Sequence, residues 1–481
     1  MLASFAFLLF FASATIAAQT TQALPVSKIY GVNIGNFLVL EPWMMPNEWL
    51  AMGGESCADC STCVGSEGAL ALKLGQNGTD VVMQQHWDTW FTNADIDKIK
   101  AAGLNTVRIP LGYWLVESLV DRTSTTEPPF ARGGMAVLKS RMRYLASNGI
   151  NVVFDLHALP GVAAIKQMFA GLCTTDVQFY QNSNYERALI WAGIMTAMSH
   201  LDADFAKVFS IQAANEPVQN AAQTPGLGQY YTDFVQVTRA IEKSLGIFFT
   251  GSKLPTGVKS SLSVSQTILA LADKQPGLGT NARSALKKIQ PLLLQHAAKY
   301  NFRITKVYTK RKPLFVNFQD AQWQYGDRPN PYHSADGPAT YDNHLYYSFS
   351  NVAKNATETG YLQHICNLGR PATATSLKNN PLWFGEWSLA TQWDFSDAAV
   401  KWRSPQGAPA TDAFLKQWAD AQKSVMASKT AGWIFWSFKI ENGNPYKRNW
   451  DYFEALRLGY FKQNASQVFN ANICKPYTGK S

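Results

Sequence analysis

The 481-residue chain has few charged residues for its size, and several kinds of functional sequence are missing from it. Charged side chains make up 16% of the residues and hydrophobic ones 46%, which excludes wholesale disorder and allows a large core. No Gly-rich phosphate loop and no metal-ligand constellation is found, so the sequence predicts no cofactor. No nucleic-acid motif accompanies the net charge of +9 or the basic run at residues 306–312. A solvated basic face is therefore expected, with attraction to an acidic wall or matrix polymer as the alternative.

Charge is also absent from residues 1–18, which contain an apolar run at 5–12 followed by small residues. This pattern predicts a secretory signal peptide over residues 1–18, cut near Ala17 or Ala18, although no basic residue precedes the run. No later segment has about 20 consecutive apolar residues, so no membrane anchor is expected. The mature protein is predicted to be a monomer, secreted to the extracellular space or cell wall. Three glycosylation acceptors fit this expectation, at Asn77, Asn355 and Asn464.

Cysteine is scarce, and six cysteines in an exported chain predict three disulfides, for which fifteen pairings are possible. We predict one pair, Cys366 with Cys474, because it would tie the segment after the sixth predicted strand to the C-terminal tail. The remaining cysteines are Cys57, Cys60, Cys63 and Cys173. The first three have CxxC spacing, which also suits a metal knuckle, but no second pair of soft ligands is nearby. Disulfides within this loop or to the fourth cysteine are favoured over zinc.

Short apolar runs alternate with amphipathic stretches along the chain, which is typical of repeated βα units around a parallel sheet. Eight strand-like runs can be counted, at residues 29–33, 106–110, 151–156, 208–213, 314–318, 344–347, 382–386 and 433–438. Helical candidates between them include residues 95–102, 134–147 and 185–198. The sequence therefore predicts an α/β fold, a (β/α)8 barrel forming a single domain over residues 19–481, with the carboxyl ends of all strands at one mouth.

Two glutamates, 170 residues apart, stand at the ends of predicted strands. Glu216 follows strand four in the sequence Ala-Ala-Asn-Glu-Pro, and Glu386 ends strand seven in Trp-Phe-Gly-Glu-Trp. Barrel closure would bring both side chains to the same mouth. Retaining glycosidases hold two carboxylates roughly 5 to 5.5 Å apart, one as nucleophile and one as acid/base. The pair predicts a sugar-hydrolysing site, whereas either glutamate alone could be a surface or rim carboxylate. The 13% aromatic content suits a cleft that stacks sugar rings.

Eight motifs in order carry a resemblance to a known family. They are GVNIGNFLVLEPW at 31–43, HWDTW at 86–90, GLNTVRIPLGYW at 103–114, DLHALPG at 155–161, NEP at 215–217, NHLY at 343–346, GEWS at 385–388 and GWIFWSFK at 432–439. On these residues the chain resembles glycoside hydrolase family 5, and within it the fungal and oomycete exo-β-1,3-glucanase branch. The resemblance covers most of residues 30–455.

The resemblance implies a role for each matching residue. Glu216 is implied to be the acid/base and Glu386 the nucleophile, with Arg108 holding the nucleophile ionised through a charge-assisted hydrogen bond. Asn215 is implied to contact the 2-hydroxyl of the sugar, an interaction that strengthens in the transition state. The other implied sugar-site residues are His157, His344 and Tyr346 for orientation, Trp436 as a platform and Glu41 at the closed end of the pocket. Internal hydrogen bonding, packing or an ion pair are the alternative roles for these side chains.

The chain departs from the family pattern in two places. Gly35-Asn36-Phe37 stands where the branch has Gly-Gly-Trp, and Val-Ala-Ala follows Gly161 in place of a Ser-Gln-Asn-Gly run. Both stretches line or support the sugar cleft. A long connection at residues 218–313, with helical candidates at 230–245 and 281–299, follows strand four and is expected to form a lid, a small subdomain or a mobile insertion.

The sequence and the resemblance together imply an exo-acting β-1,3-glucosidase that hydrolyses β-glucan, with transglycosylation as a side activity. The same mechanism on another β-glucan, with β-1,6 linkage or an endo mode, is the first alternative. An inactive carbohydrate-binding barrel is the second. Because one glutamate must be ionised and the other protonated, the rate should follow a bell-shaped pH profile with an acidic to near-neutral optimum.

Overall fold

A computed structural model describes residues 22–308, 311–320, 323, 336–349, 352–353, 355–392 and 410–479. The predicted signal peptide lies outside these residues. The strands are β1 (Ile29–Asn33), β2 (Thr106–Gly112), β3 (Asn151–Ala158), β4 (Val208–Gln212), β5 (Phe315–Gln319), β6 (Ala339–Leu345), β7 (Leu382–Trp387) and β8 (Gly432–Phe435). Neighbouring strands pair in parallel in chain order, and β8 closes on β1 through the register Ile29 with Gly432. The predicted (β/α)8 barrel is confirmed.

Helices surround the barrel. Within the described residues they are α1 (Pro46–Ala51), α2 (Glu67–Trp90, with a break at Gly75), α3 (Asn93–Ala101), α4 (Gly134–Ser147), α5 (Asn182–Leu201), α6 (Leu227–Ser244), α7 (Val264–Lys274), α8 (Thr280–Tyr300), α9 (Glu358–Cys366), α10 (Arg370–Ser376), α11 (Asp412–Lys429), α12 (Lys447–Trp450) and α13 (Tyr452–Arg457). None of these helices has the length and apolar character needed to cross a bilayer. The predicted helix at 134–147 has the observed bounds of α4.

The barrel interior has an apolar layer at the end where the strands begin. Val153, Trp383 and Ile434, from β3, β7 and β8, are fully buried and pack together with Ile29 of β1. Each such large side chain contributes about 1.5 to 3 kcal/mol when it is fully removed from water. Polar side chains occupy the interior nearer the strand ends. The apolar layer therefore stabilises the barrel and leaves the carboxyl-terminal mouth free for polar groups.

The sixth strand is longer than the sequence predicted. The prediction placed it at residues 344–347, whereas β6 runs from Ala339 to Leu345. Its centre contains polar residues such as Thr340 and Asp342, which are fully buried. The Thr340 hydroxyl donates to Asn317 of β5 at 3.2 Å. An apolar-run criterion misses a strand whose inward side chains are polar.

The long connection after β4 is a packed helical layer in its described part. It contains α6 and α8, which pack against α5 and against each other, and α7, which packs against α6 and α8. A capping box begins α7, because the Ser263 side chain accepts from the Gln266 backbone and the Gln266 side chain accepts in return. The backbone amide of Val307 donates to Leu245 at 2.9 Å and closes the connection on itself.

All six cysteines are paired. Cys366 bonds to Cys474 across 108 residues and joins the end of α9 to the C-terminal tail. The zinc knuckle considered for the loop at 57–63 is wrong, because Cys57 bonds to Cys63 within the loop and Cys60 bonds to Cys173. The loop is therefore fixed covalently to the segment after β3.

Candidate active site

Glu216 and Glu386 face each other at the mouth of the barrel. Each places a carboxylate oxygen within 4.8 Å of the other and of a ring nitrogen of His344. His344 Nδ1 lies 2.6 Å from Glu216 Oε1 and 3.4 Å from Glu386 Oε2. The imidazole thus bridges the two carboxylates from β6, the strand beside the one that carries Glu386.

Glu216 reaches this position through an unusual backbone conformation. Its φ angle is +35°, in the left-handed region that side chains other than glycine seldom adopt. The backbone on both sides is held, since the Asn215 amide donates to Leu156 at 3.1 Å and the Val218 amide donates to the Tyr180 hydroxyl at 2.7 Å. Such strain persists only where the surroundings determine the conformation, and it is concentrated at functional sites.

Gly385 explains why the second motif reads Gly-Glu. A Cβ atom at this position would lie 2.0 Å from Asp342 Oδ1, a separation that no packing tolerates. The close approach of β6 and β7 brings Asp342 and His344 to the same side as Glu386, with a register shift between Asn343 and His344. The glycine therefore allows the polar residues of β6 to reach the nucleophile candidate.

Arg108 of β2 is the centre of the polar layer and is fully buried. Its Nη1 donates to Glu386 Oε1 at 2.8 Å, and its Nη2 donates to Asn215 Oδ1 at 2.8 Å. The guanidinium also contacts four further side chains, namely Asn33 and Gln212 at 3.0 Å, Asp155 at 3.0 Å and Asp342 at 3.6 Å. A buried cation needs this number of partners, because an unpaired one would be strongly unfavourable.

The charges set the protonation states of the site. Burial raises the pKa of Glu386 above its ordinary value, while the positive charges of His344 and Arg108 oppose that effect. Burial would lower the pKa of His344, but the charges of Glu386 and Asp342 outweigh it and raise that pKa to about 10. Burial and the charge of Glu386 hold the pKa of Tyr346 well above its usual range, so its hydroxyl stays protonated and donates to Glu386 Oε2 at 2.7 Å.

Glu216, His344 and Glu386 also have the spacing of a three-residue metal site. A histidine ligand must offer a lone pair, whereas the raised pKa of His344 favours a proton on both ring nitrogens. Arg108 and Tyr346 already bind the two oxygens of Glu386. The charge arrangement therefore fits a protonated imidazole between two carboxylates better than a cation.

His157, Trp436 and Asn215 lie beside this centre. His157 Nδ1 is 2.6 Å from Asp155 Oδ2, and its ring stacks on Trp436 with centroids 5.7 Å apart and planes 14° apart. His157 Nε2 and Asn215 Nδ2 are buried polar atoms without a hydrogen-bond partner in the described part of the chain. Buried polar groups are nearly always satisfied, so these two atoms suit a polar ligand.

Glu41 lies after β1 and is 5% exposed. Burial raises its pKa to about 7, His157 and a 2.8 Å hydrogen bond from Trp43 Nε1 act in the opposite direction, and the charges of Glu386 and Glu216 add to the rise. These interactions connect Glu41 electrostatically to the two candidate catalytic residues.

The segment that carries Glu41 is held by polar groups from α2. Asn36, one of the departures from the family pattern, has a φ of +59° and accepts from the Glu41 amide at 2.6 Å. His86 Nε2 lies 2.7 Å from the carbonyl oxygen of Asn36, and Glu67 Oε2 accepts from the Leu40 amide at 2.9 Å. Asn36 therefore positions Glu41.

Sequence reasoning named nine site residues, and all nine lie at the mouth described above. It missed the residues that hold Arg108 and the candidate catalytic groups, which are Asn33, Asp155, Gln212 and Asp342. Each is a fully buried polar side chain on a barrel strand. Polar residues inside otherwise apolar strand runs are a signal that could have identified them.

A closed eight-stranded barrel whose fourth and seventh strands deliver two juxtaposed carboxylates is the arrangement of a retaining glycoside hydrolase. The family model for cellulase, glycosyl hydrolase family 5, matches residues 74–442. The chain belongs to glycosyl hydrolase family 5, and it is a glycoside hydrolase. The family named from the sequence is confirmed.

Relatives differ in how much of the chain they match. The glucan endo-1,6-beta-glucosidase B of Emericella nidulans is 29% identical over 95% of this chain and 91% of its own. The probable glucan 1,3-beta-glucosidase A of Neosartorya fischeri is 30% identical over 50% of this chain and 54% of its own. The crystal structure of rutinosidase from Aspergillus niger superposes with a TM-score of 0.55 at 18% identity, covering 90% of this chain and 97% of that one, which supports the fold alone.

Proposed function

We propose that the protein is a secreted retaining β-glucanase in which Glu386 is the nucleophile and Glu216 the acid/base. The observation that carries this proposal is the approach of the two carboxylates to within 4.8 Å. Retaining enzymes need roughly 5 to 5.5 Å, whereas inverting enzymes need about 6.5 to 9.5 Å to fit a water molecule. The three disulfides support secretion, because such bonds persist in oxidising compartments.

In the first half-reaction, a carboxylate oxygen of Glu386 forms a bond to the anomeric carbon as the bond to the leaving oxygen breaks. Arg108 and Tyr346 hold one oxygen of Glu386 each, which fixes its direction and stabilises its charge. The leaving oxygen takes its proton from Glu216. His344 Nδ1 lies 2.6 Å from Glu216 Oε1, so the protonated imidazole can supply Glu216 with the proton that the leaving oxygen takes.

In the second half-reaction, water attacks the anomeric carbon and the ester to Glu386 breaks. Glu216, which gave its proton to the leaving oxygen in the first half-reaction, now accepts a proton from the attacking water. The carboxylate of Glu386 is released to its contacts with Arg108 and Tyr346. Two inversions at one carbon give net retention.

The sugar would be held by the polar atoms that have no partner in the described part of the chain. Asn215 Nδ2 is oriented by the bond from Arg108 to its Oδ1 and suits the 2-hydroxyl, while His157 Nε2 and Glu41 suit other hydroxyls. Trp436 is 3% exposed and adjoins His157, which supports contact with one face of the ring.

For the linkage we propose β-1,6-glucan and an endo mode, with exo-acting β-1,3-glucanase as the second candidate. The relative named as an endo-1,6-beta-glucosidase aligns over almost the whole chain, and the one named as a 1,3-beta-glucosidase aligns over half of it. The departures at Asn36 and Val162 follow β1 and β3, at the carboxyl-terminal mouth of the barrel. The motifs that resemble the exo-β-1,3 branch support the second candidate.

Hydrolysis of pustulan and laminarin tests the linkage. Rapid loss of pustulan viscosity with a ladder of oligosaccharides supports the endo-1,6 proposal, whereas glucose released from laminarin alone supports the second candidate. Labelling with a 2-fluoro glucoside and peptide mapping tests the mechanism. A label on any residue other than Glu386, or a first-formed α-anomer in the NMR spectrum of the products, overturns it.

A further inference from the structure

The segment at residues 245–314, between α6 and β5, has a charge unlike that of the rest of the chain. It contains twelve lysine and arginine residues, one aspartate and no glutamate. Its net charge is therefore +11, whereas the whole chain carries +9, so all other residues together sum to −2. The excess positive charge of the protein lies entirely in this segment.

Few of these cations are neutralised by acidic neighbours. Lys287 pairs with Asp273 at 3.0 Å, Lys299 pairs with Glu117 at 2.9 Å, and Lys288 pairs with Glu186. Lys310 lies outside the described residues. For the other eight cations, no carboxylate of the described chain lies within ion-pair distance. Most of the charge is therefore available to a partner or to solvent.

Four lysines surround one turn and form what we call the basic patch, Lys243, Lys259, Lys274 and Lys306. Lys274 Nζ donates to the Gly257 carbonyl at 2.9 Å, and Lys306 Nζ donates to the Ser260 carbonyl, so both approach the turn that carries Lys259. Lys243 Nζ is 3.5 Å from Gln275 Oε1, next to Lys274. Burial lowers the pKa of Lys243 below its ordinary value, and the nearby charge of Asp336 offsets only part of that effect.

An exposed aromatic ring follows the basic patch in the chain. Tyr308, two residues after Lys306, is 58% exposed. The Tyr308 ring packs over Gly246, where a Cβ atom would be 2.8 Å from it. Large exposed rings beside ammonium groups suit a partner with both apolar faces and negative charge. A polymer of acidic sugars has both.

The basic patch lies at the opposite end of the barrel from the active site. It adjoins the end of α6 at Ser244 and the chain that leads into β5 at Phe315, whereas Glu216 and Glu386 stand at the carboxyl ends of β4 and β7. In a (β/α)8 barrel these are different faces. A partner on the basic patch would leave the mouth open.

We propose that the basic patch binds an acidic polysaccharide and retains the enzyme on the matrix that contains its substrate. Nine of the twelve cations in the segment are lysines, which act as point charges for a diffuse polyanion, whereas specific phosphate recognition favours the arginine fork. The choice of a polysaccharide over other polyanions rests on the proposed function. The charge asymmetry itself does not depend on it.

The test uses the full-length protein and polygalacturonate coupled to agarose. The patch variant is K259Q/K274Q/K306Q, and the control K73Q/K100Q/K475Q removes three exposed lysines elsewhere, so both lose the same net charge. At about 50 mM salt we expect the patch variant to bind about tenfold or more weakly and the control to change by less than about twofold, since the loss of clustered cations removes counterion release. Thermal midpoints and hydrolysis of a neutral soluble glucan should be unchanged in both.

Equal weakening in the two variants would overturn the proposal, because net charge alone would then explain binding. Stronger patch-dependent binding to duplex DNA or to phosphatidylserine vesicles than to polygalacturonate would also overturn it. The E386Q variant separates this proposal from the proposed function, because it should lose hydrolysis and retain polygalacturonate binding.

Discussion

The mouth of the barrel and the segment at residues 245–314 both concentrate charged side chains. In the mouth these side chains are buried and paired, whereas in the segment most are exposed and unpaired among the described residues. In the mouth, Arg108 is fully buried and contacts three carboxylates. In the segment, most cations are exposed and eight lack an acidic partner among the described residues. Buried charge requires matched partners, whereas exposed charge is solvated and screened. Single substitutions should therefore have large effects in the mouth and small ones in the segment.

The largest effect is expected for Glu386→Gln and Glu216→Gln. Loss of either partner of a catalytic pair lowers kcat by about 10⁴-fold or more, because the residues act as a unit. The measurement is kcat on a soluble β-glucan, with the thermal midpoint as a test of folding. Glu358→Gln, an exposed carboxylate at the start of α9, is the matched control and should retain full activity. Variants that keep more than a hundredth of the wild-type rate would contradict the assigned roles.

Arg108→Lys should have the next largest effect. Lysine keeps the charge but cannot reproduce the forked contacts to Glu386 and Asn215, and breaking a buried charge network costs about 3 to 5 kcal/mol. Both the thermal midpoint and kcat should fall. Arg303→Lys in the basic segment is the control, and its effect should stay within about 0.5 kcal/mol. If the two substitutions lowered the thermal midpoint and kcat equally, buried and exposed charges would not differ in the way proposed.

The sequence predicted the barrel because apolar runs and intervening helices recur with the spacing of βα units. It located the other strands to within about three residues but misplaced β6, where buried Thr340, Asp342 and His344 interrupt the apolar pattern. The helix α2 was not predicted, since it includes glycines at positions 75 and 78 and breaks at the first of them. Local patterns report burial well only where the buried residues are apolar.

The site was predicted to a similar extent. The two glutamates stand at strand ends, which topology alone brings to one mouth. The residues that hold Arg108, such as Asp155 and Asp342, have no local signal beyond being polar residues within a strand. The left-handed conformation of Glu216 is also invisible in the sequence, because Pro217 favours extended backbone at the residue before it. Contacts between distant strands determine these features.

Removal of the Cys366–Cys474 disulfide tests whether catalysis at the mouth depends on the local charges or also on the rigidity of the C-terminal tail. The double variant C366A/C474A should lose about 2 to 4 kcal/mol of stability, because the bond closes a long loop in the unfolded chain. The thermal midpoint should fall, while kcat at 25 °C should stay unchanged. A drop in kcat comparable to that of Arg108→Lys would show that the tail supports the site.

Tyr346→Phe removes one hydrogen bond to the nucleophile candidate and leaves Arg108 in place. A hydrogen bond to a charged group is worth about 1.5 to 3 kcal/mol, so kcat should fall by roughly 10- to 150-fold. The hydroxyl stabilises the ionised form of Glu386, so its loss should move the acidic limb of the pH profile to higher pH. Tyr347→Phe, whose hydroxyl contacts His364, is the control. A lower kcat with an unmoved acidic limb would point to a role other than stabilising the carboxylate.

Glu41→Gln should have the smallest effect, and one that depends on pH. Because the pKa of Glu41 is raised to about 7, the wild-type side chain is mostly protonated below that pH and glutamine resembles it. Above pH 7 the ionised carboxylate accepts stronger hydrogen bonds from sugar, so the KM ratio of variant to wild type should rise from near one at pH 5.5 to about five- to tenfold at pH 8.

Glu41→Gln should weaken substrate binding as the pH rises, but over the same pH range it should become more stable relative to the wild type. A carboxyl whose folded pKa lies above its unfolded value favours the folded state at low pH, and that contribution is lost as pH rises through the folded pKa of about 7. Glutamine does not titrate, so the thermal midpoint of the variant should gain on the wild type between pH 5 and 8. A gain in thermal midpoint without any pH-dependent change in KM would assign Glu41 a structural role alone. Sugar recognition in the mouth would then rest on side chains whose charge does not change between pH 5 and 8.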